Sequence, residues 1–75
     1  EVAVYNIAGK FYATHNYCTH ADGPLNEGYL EEFGVVCPWH DSCFDVRDGH
    51  VLRGPATEPV KAYNVLVEDG IGRVE

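Results

Sequence analysis

The 75-residue sequence predicts an all-β fold, a small sandwich or barrel of short antiparallel strands. Runs of β-branched and aromatic residues alternate with turn signals about every eight to twelve residues, a spacing typical of such folds. No segment combines a sustained helical period with capping residues at its ends. A chain of this length forms one small domain, in which a metal, cofactor or disulfide often supplements a limited core.

The strands are predicted as four hairpins joined by irregular loops. In chain order, the hairpins are EVAVYNI with KFYATH, the two halves of YLEEFGVVC, FDV with HVLR, and the two halves of VKAYNVLVEDGIGRVE. Their turns are assigned to Ala8-Gly9-Lys10, residues 32–34, Arg47-Asp48-Gly49 and Asp69-Gly70. The segments CTHADGPLNEG, CPWHDSC and GPATEP contain Gly or Pro and are predicted loops. The tyrosines of the strands are expected in the core: Tyr5, Tyr12, Tyr29 and Tyr63.

The chain is acidic, with five Lys and Arg against twelve Asp and Glu and a net charge of −7. Such a surface repels nucleic acid and anionic membranes and suits a partner with a basic patch, although solubility alone also explains it. Three cysteines cannot all pair, and this odd number favours a reducing, cytoplasmic setting over a secreted disulfide framework. No signal peptide or membrane-length apolar run is visible. Because the chain begins at Glu1 without a methionine, we expect an N-terminal segment of one or two strands to be missing.

Two Cys/His pairs lie in predicted loops at the ends of hairpins. Cys18-x-His20 and Cys37-x-x-His40 are separated by sixteen residues. The residues alone leave three interpretations open. A structural zinc site accepts two thiolates and two imidazoles, although zinc sites usually pair like ligands within one motif. A Cys/His nucleophile is a second interpretation, but two near-equivalent pairs make it redundant and no third orienting group is evident. The third is a two-iron cluster with both cysteines on one iron and both histidines on the other.

With CTH and CPWH at this spacing, followed by SCFDVRDGHVLRGPATEPV, the sequence resembles the Rieske [2Fe–2S] family. The resemblance extends from about residue 4 to residue 74. It implies the Rieske fold, in which an antiparallel β-sandwich or barrel base carries a two-loop cluster-binding subdomain. Within a single domain of residues 1–75, the cluster-binding part is expected over about 15–56 and the base strands over about 1–14 and 57–75.

The resemblance also implies the cofactor and its ligands. It implies one [2Fe–2S] cluster per chain, with Cys18 and Cys37 on the inner iron and His20 and His40 on the outer iron through Nδ1. Histidine ligands raise the reduction potential of the family above that of all-cysteine ferredoxins. Backbone N–H groups of residues 20–23 and 40–44 are expected to stabilise the added electron.

Three further residues are expected around the cluster. Ser42 matches a serine of the respiratory branch and is expected to keep one hydrogen-bond donor there. Trp39 is expected either as a lid over the cluster or as an exposed partner contact. Pro55 belongs to the loop that, by the resemblance, covers the third side of the cluster and excludes water.

Departures from other branches place the chain among stand-alone ferredoxins. Trp39 replaces the extra cysteine of the respiratory CPCH motif, and Phe44 replaces a tyrosine that donates to the cluster there. We therefore expect a potential near the low end of the Rieske range, roughly −150 mV. The loops read HAD and WHDS, whereas oxygenase large subunits tend to read HRG and YHGW. Asp41 stands where the family usually has glycine, at a position that can need a left-handed backbone. Cys43 is expected to be a half-buried small hydrophobe.

The resemblance implies a one-electron carrier and not an enzyme. Such a ferredoxin accepts electrons from a flavoprotein reductase and passes them to the terminal oxygenase of an aromatic-ring-hydroxylating dioxygenase system, a part of aromatic hydrocarbon catabolism. Neither nucleic acid nor a membrane is an expected partner. One alternative is the Rieske small subunit of a nitrite-reductase-like enzyme or an excised oxygenase domain. The alternative from a different class is a zinc-stabilised interaction module, which would be colourless and redox-inactive.

Overall fold

The computed structural model describes all of residues 1–75, and the predicted all-β architecture is confirmed. The nine strands are β1 (Val2–Ile7), β2 (Lys10–His15), β3 (Tyr29–Glu31), β4 (Gly34–Val36), β5 (Cys43–Asp45), β6 (Val51–Arg53), β7 (Ala62–Tyr63), β8 (Val65–Glu68) and β9 (Ile71–Val74). The one helical element is a single 3-10 turn over Leu25–Glu27. No helix in the structure has the length and apolar character needed to cross a bilayer.

The four predicted hairpins are confirmed as antiparallel pairs: β1 with β2, β3 with β4, β5 with β6, and β8 with β9. The predicted last hairpin begins too early, because Ala62–Tyr63 forms a separate strand that pairs with β2. The first turn places Ala8 and Gly9 at φ values of 54° and 85°, and the last places Asp69 and Gly70 at 52° and 79°. Positive φ at both central residues suits the right-handed twist of the flanking strands, which explains why these short sequences close hairpins.

The strands form three sheets. One has the order β1-β2-β7, the second has the order β3-β4-β5-β6, and β8 with β9 forms a separate two-stranded sheet. The buried core joins β1 to β4 and β5 through residues of the connecting loops, and its largest fully buried side chain is Phe44, with no exposed area. Cys18 and Cys37 belong to this same core, so the loops that hold the two Cys/His pairs are anchored in the interior.

The prediction that Tyr29 lies in the core is wrong. Tyr29 starts β3, which lies at the edge of its sheet and pairs only with β4. All three residues of β3 face solvent, and Tyr29 itself is 56% exposed. Tyr5 is buried as expected, and its hydroxyl forms a 2.9 Å hydrogen bond with the hydroxyl of Thr14. Tyr12 and Tyr63 are half-buried.

Candidate metal centre

Two loops with the same backbone hydrogen-bond pattern present the Cys/His pairs. Loop 1 comprises residues 16–28, between β2 and β3, and loop 2 comprises residues 37–42, between β4 and β5. In loop 1 the N–H of Cys18 donates to the carbonyl of Gly23 at 2.8 Å. In loop 2 the N–H of Cys37 donates to the carbonyl of Ser42 at 2.7 Å. Each cysteine therefore bonds to the residue five positions ahead and starts a tight turn that carries the histidine.

An aspartate in the left-handed conformation ends each turn. The amide of Asp22 donates to the carbonyl of Cys18 at 2.9 Å, and the amide of Asp41 donates to the carbonyl of Cys37 at 3.1 Å. Their φ values are 58° and 60°. Aspartate enters this region more readily than most residues, because its short side chain can bond locally, although glycine enters at lower cost. The left-handed backbone expected at Asp41 is thus present without glycine.

The two loop cysteines lie side by side in the interior. Cys18 and Cys37 have no exposed area, and none of the three cysteines is in a disulfide. Burial raises the pKa of the Cys37 thiol and the neighbouring Cys18 thiol adds to this rise, while the backbone N–H groups of Trp39 and His40 oppose it. Those N–H groups are suitably placed to stabilise a charged sulfur at this position.

The two loop histidines lie together at the surface. His20 and His40 are exposed, and their ring centroids are 5.1 Å apart with an interplanar angle of 81°. The four candidate ligands are therefore separated by chemistry, with paired sulfurs inside and paired imidazoles outside.

This donor set fits a two-iron cluster better than a single metal ion. A tetrahedral zinc ion would bring its four ligand atoms to roughly 3.3–3.8 Å of one another. The ligand atoms of no three of these four side chains lie within 4.8 Å of one another. The group of His, Cys, Asp or Glu side chains that does meet this distance is Asp45, Asp48 and His50. In that group, both carboxylate oxygens of Asp45 already accept from Arg47. Two separate pairs, one of sulfurs and one of nitrogens, are the arrangement that a Rieske [2Fe–2S] cluster requires.

The walls of the site come from three loops. Trp39 is 58% exposed, and its indole lies over Gly23, where an added Cβ would come within 3.1 Å of Trp39 Cγ. The indole is thus both packed on loop 1 and open to solvent. The buried Ser42 hydroxyl accepts a 3.0 Å hydrogen bond from the N–H of Ala56, and this bond fastens loop 3, residues 54–61, to loop 2. Pro55 lies next to that contact and is exposed.

The other cysteine and histidines lie apart from this ligand set. Cys43 is buried in β5 and packs against Gly34, which makes it more buried than expected, and burial raises the pKa of its thiol. His15 ends β2, where its ring packs edge-on against Tyr17 with centroids 5.8 Å apart. His50 is exposed, and its Nδ1 lies 2.6 Å from Asp48 Oδ1.

Sequence reasoning missed the residues that hold the loops in place. The backbone carbonyl and side chain of the buried Asn16 accept from the amides of Leu25 and Asn26, which closes loop 1 across its base. The Thr19 hydroxyl donates to the carbonyl of Glu58 at 2.6 Å and joins loop 1 to loop 3. The Asn16 closure spans nine and ten residues and involves no motif, so only the folded chain reveals it.

Comparison with known protein families matches residues 1–64 to the Rieske [2Fe-2S] domain. The chain therefore belongs to the Rieske [2Fe–2S] domain family. It is 42% identical over 69 residues to the ferredoxin component of the naphthalene 1,2-dioxygenase system of Pseudomonas putida, covering 92% of this chain and 66% of that protein. It is 41% identical over 71 residues to the 3-phenylpropionate/cinnamic acid dioxygenase ferredoxin subunit of Photorhabdus laumondii, covering 93% of this chain and 68% of that protein. The chain thus spans about two thirds of these relatives.

Solved structures agree with this assignment. The ferredoxin of Sphingomonas yanoikuyae B1 superposes with a TM-score of 0.93 at 36% identity, over 99% of this chain and 72% of that one. A chain from a complex of reduced oxygenase and oxidised ferredoxin in carbazole 1,9a-dioxygenase gives a TM-score of 0.95 at 36% identity, over 99% of this chain and 76% of that one. The Rieske fold predicted from the sequence is therefore confirmed.

Proposed function

We propose that the chain is a one-electron carrier of an aromatic-ring-hydroxylating dioxygenase system. It holds one [2Fe–2S] cluster, with Cys18 and Cys37 as ligands of the inner iron and His20 and His40 as ligands of the outer iron through Nδ1. Residues 15–56 form the cluster-binding part, and residues 1–14 and 57–75 form the base. The bound cluster supplies reversible one-electron chemistry, and the chain performs no catalysis of its own.

The contrast in burial between the two kinds of ligand is the observation that supports this proposal most. The thiols have no exposed area, whereas both imidazoles are exposed on one surface. The thiolate charge is therefore kept in the interior beside the N–H groups of Trp39 and His40. The imidazoles reach the solvent, where an electron must enter from one partner and leave to another.

The surface around the imidazoles indicates the chemistry of the partners. Loops 1 and 2 contain no Lys or Arg, and loop 3 has one, Lys61 at its end, while the three loops contain the exposed carboxylates Asp22, Glu27, Asp41 and Glu58. Exposed Trp39 supplies an aromatic group of the kind enriched at interface hot spots. Such a surface suits a basic docking site on a flavoprotein reductase and on a terminal oxygenase. The names of the relatives support partners of this class, and the odd number of cysteines supports a reducing, cytoplasmic location.

The test is replacement of a ferredoxin in a working system. The reductase and oxygenase of the naphthalene 1,2-dioxygenase system are assayed with NADH and naphthalene, with this chain in place of the native ferredoxin. We expect product formation that depends on this chain and falls as salt rises, because salt screens the attraction between an acidic tip and basic partners.

Cys37→Ser is the matched variant that removes one proposed ligand, and Cys43→Ser is its control, since Cys43 lies outside the ligand set. The first should lose the visible spectrum of the cluster and the transfer, and the second should keep both. A colourless protein that contains zinc would contradict the proposal. So would a cluster-loaded protein that takes no electrons from the reductase, which is the behaviour expected of an enzyme subunit or an excised domain.

A further inference from the structure

An arginine braces the turn that follows His40. Arg53 ends β6, and its Nε–H donates to the backbone carbonyl of Asp41 at 3.2 Å. Its Nη1 donates to Glu31 Oε1 in β3, also at 3.2 Å. The guanidinium therefore links the edge strand of the sheet to the tip of loop 2.

The residue that this arginine holds has a backbone conformation that costs energy for any residue other than glycine. Asp41 lies at φ 60°, a region that glycine enters freely and that costs other residues energy. Its amide is fixed by the carbonyl of Cys37, and its carbonyl is fixed by Arg53. The equivalent Asp22 of loop 1 has a left-handed φ of 58°, and no side chain donates to its carbonyl.

The turn determines where two functional groups lie. It contains His40 and the backbone N–H groups of Trp39 and His40, which lower the pKa of the Cys37 thiol and so favour its charged form. If the Asp41 peptide turned over, these donors would leave the sulfur and the imidazole would move. A reduced, more negative centre depends on such donors more than an oxidised one, so their loss lowers the reduction potential.

We propose that Arg53 is a positioning residue for His40: it maintains the left-handed turn at Asp41 and thereby keeps the reduction potential up. The proposal rests on the cluster assignment made above. It acts through the backbone of Asp41, since the guanidinium contacts the carbonyl and no cation lies within 4 Å of the Asp41 carboxylate.

A double-mutant cycle distinguishes this positioning role from a simple electrostatic effect of Arg53 on the Asp41 carboxylate. Arg53→Gln is made in the native chain, in Asp41→Gly and in Asp41→Asn. Glycine adopts the left-handed turn without a brace, whereas asparagine removes the same charge and still needs support. Arg73→Gln is the control, because Arg73 is an exposed arginine of the last hairpin whose ion pairs are with Glu68 and Glu75, away from loop 2.

Two quantities are measured for each protein: the midpoint potential, and hydrogen exchange over residues 38–42 by mass spectrometry. In the native background, we expect Arg53→Gln to lower the midpoint potential by about 28 mV. At a fixed solution potential this lowers the ratio of reduced to oxidised protein about threefold, at about 59 mV per tenfold. Exchange at the Asp41 amide should become about tenfold faster. Both effects of Arg53→Gln should persist in the Asp41→Asn background and largely disappear in the Asp41→Gly background. Arg73→Gln should change neither the midpoint potential nor the exchange rate.

Three outcomes would overturn the inference. Effects that disappear in both the Asp41→Asn and the Asp41→Gly backgrounds would show that Arg53 acts by balancing the charge of the Asp41 carboxylate. Effects of equal size in all three backgrounds would show that it does not act through the turn. No effect in the native background, with the cluster intact, would show that it has no role. A chain without a cluster would instead refute the proposed function, and the exchange measurement would still report on the brace because it needs no cluster.

Discussion

Gly23 is the position where a single methyl group tests the site most sharply. A Cβ built at this residue would lie 2.6 Å from Cys37 Sγ and 3.1 Å from Trp39 Cγ. Ordinary contact begins at 3.4 Å, so the methyl and the sulfur would have to separate by about 0.8 Å. The φ of Gly23 is not in the left-handed region, so Gly23→Ala introduces a steric effect without backbone strain.

Two responses are open to the Gly23→Ala protein, and both act on the proposed site. Either Cys37 Sγ moves away from Gly23, or loop 1 moves away from Cys37 together with His20. Overpacking of this kind costs about 1–3 kcal/mol. At 1.4 kcal/mol per tenfold, the retention of iron should weaken by about 5- to 150-fold.

The assay is competition for iron. Reconstituted Gly23→Ala and native proteins are titrated with a chelator, and the absorbance of the cluster reports the concentration that removes half of the iron. Gly72→Ala is the control, because a Cβ at Gly72 meets nothing within 4 Å and its φ is not left-handed. If Gly23→Ala retains iron as tightly as Gly72→Ala and the native protein, the proposal that Cys37 Sγ binds iron at this position is wrong.

Three other predictions concern the fold and the tip. The Arg47 side chain holds the pKa of Asp45 below its ordinary value of 3.8, so the stabilisation by ionised Asp45 is complete above that value and is lost as pH falls through the folded-state pKa. Asp45→Asn should therefore be about 1–3 kcal/mol less stable in urea at pH 7, with a gap that narrows in acid; a gap independent of pH would contradict this. Phe44→Ala should lose about 3–5 kcal/mol, far more than Leu30→Ala at a position that is 40% exposed, and equal losses in urea unfolding would place the core elsewhere. Trp39→Ala should raise the KM of the reductase for this protein and leave its visible spectrum unchanged; a changed spectrum with an unchanged KM would make the indole only a lid.

Local chemistry made the strands and the ligand motifs predictable. Turns such as Ala8-Gly9 and Asp69-Gly70 accept positive φ at two successive positions, and few sequences do so. The C-x-H and C-x-x-H spacings are short because both candidate ligands of a pair lie on one tight turn. The predicted hairpins and the loop positions of Cys18 and Cys37 follow from these short-range rules and agree with the structure.

Features that depend on distant pairing were not predictable. Tyr29 reads as a core residue from its strand, but strand order decides its exposure, and β3 lies at an edge. Asp41 was expected to strain its turn, and its support comes from Arg53, twelve residues away, through a backbone carbonyl that no sequence pattern marks. Ser42 is expected to donate toward the cluster, and its oxygen also accepts from the amide of Ala56, fourteen residues away, a bond that no sequence pattern marks. In each case the partner comes from another part of the fold.

The most direct test of the central claim is the identity of the iron ligands in the reduced protein. Chain labelled with 15N only in histidine is reduced with dithionite and studied by electron nuclear double resonance. We predict the rhombic signal of a mixed-valence iron pair with two directly bonded histidine nitrogens, and one nitrogen fewer in His20→Cys. A spectrum without coupling to histidine nitrogen, or the signal of a single iron, would contradict the account.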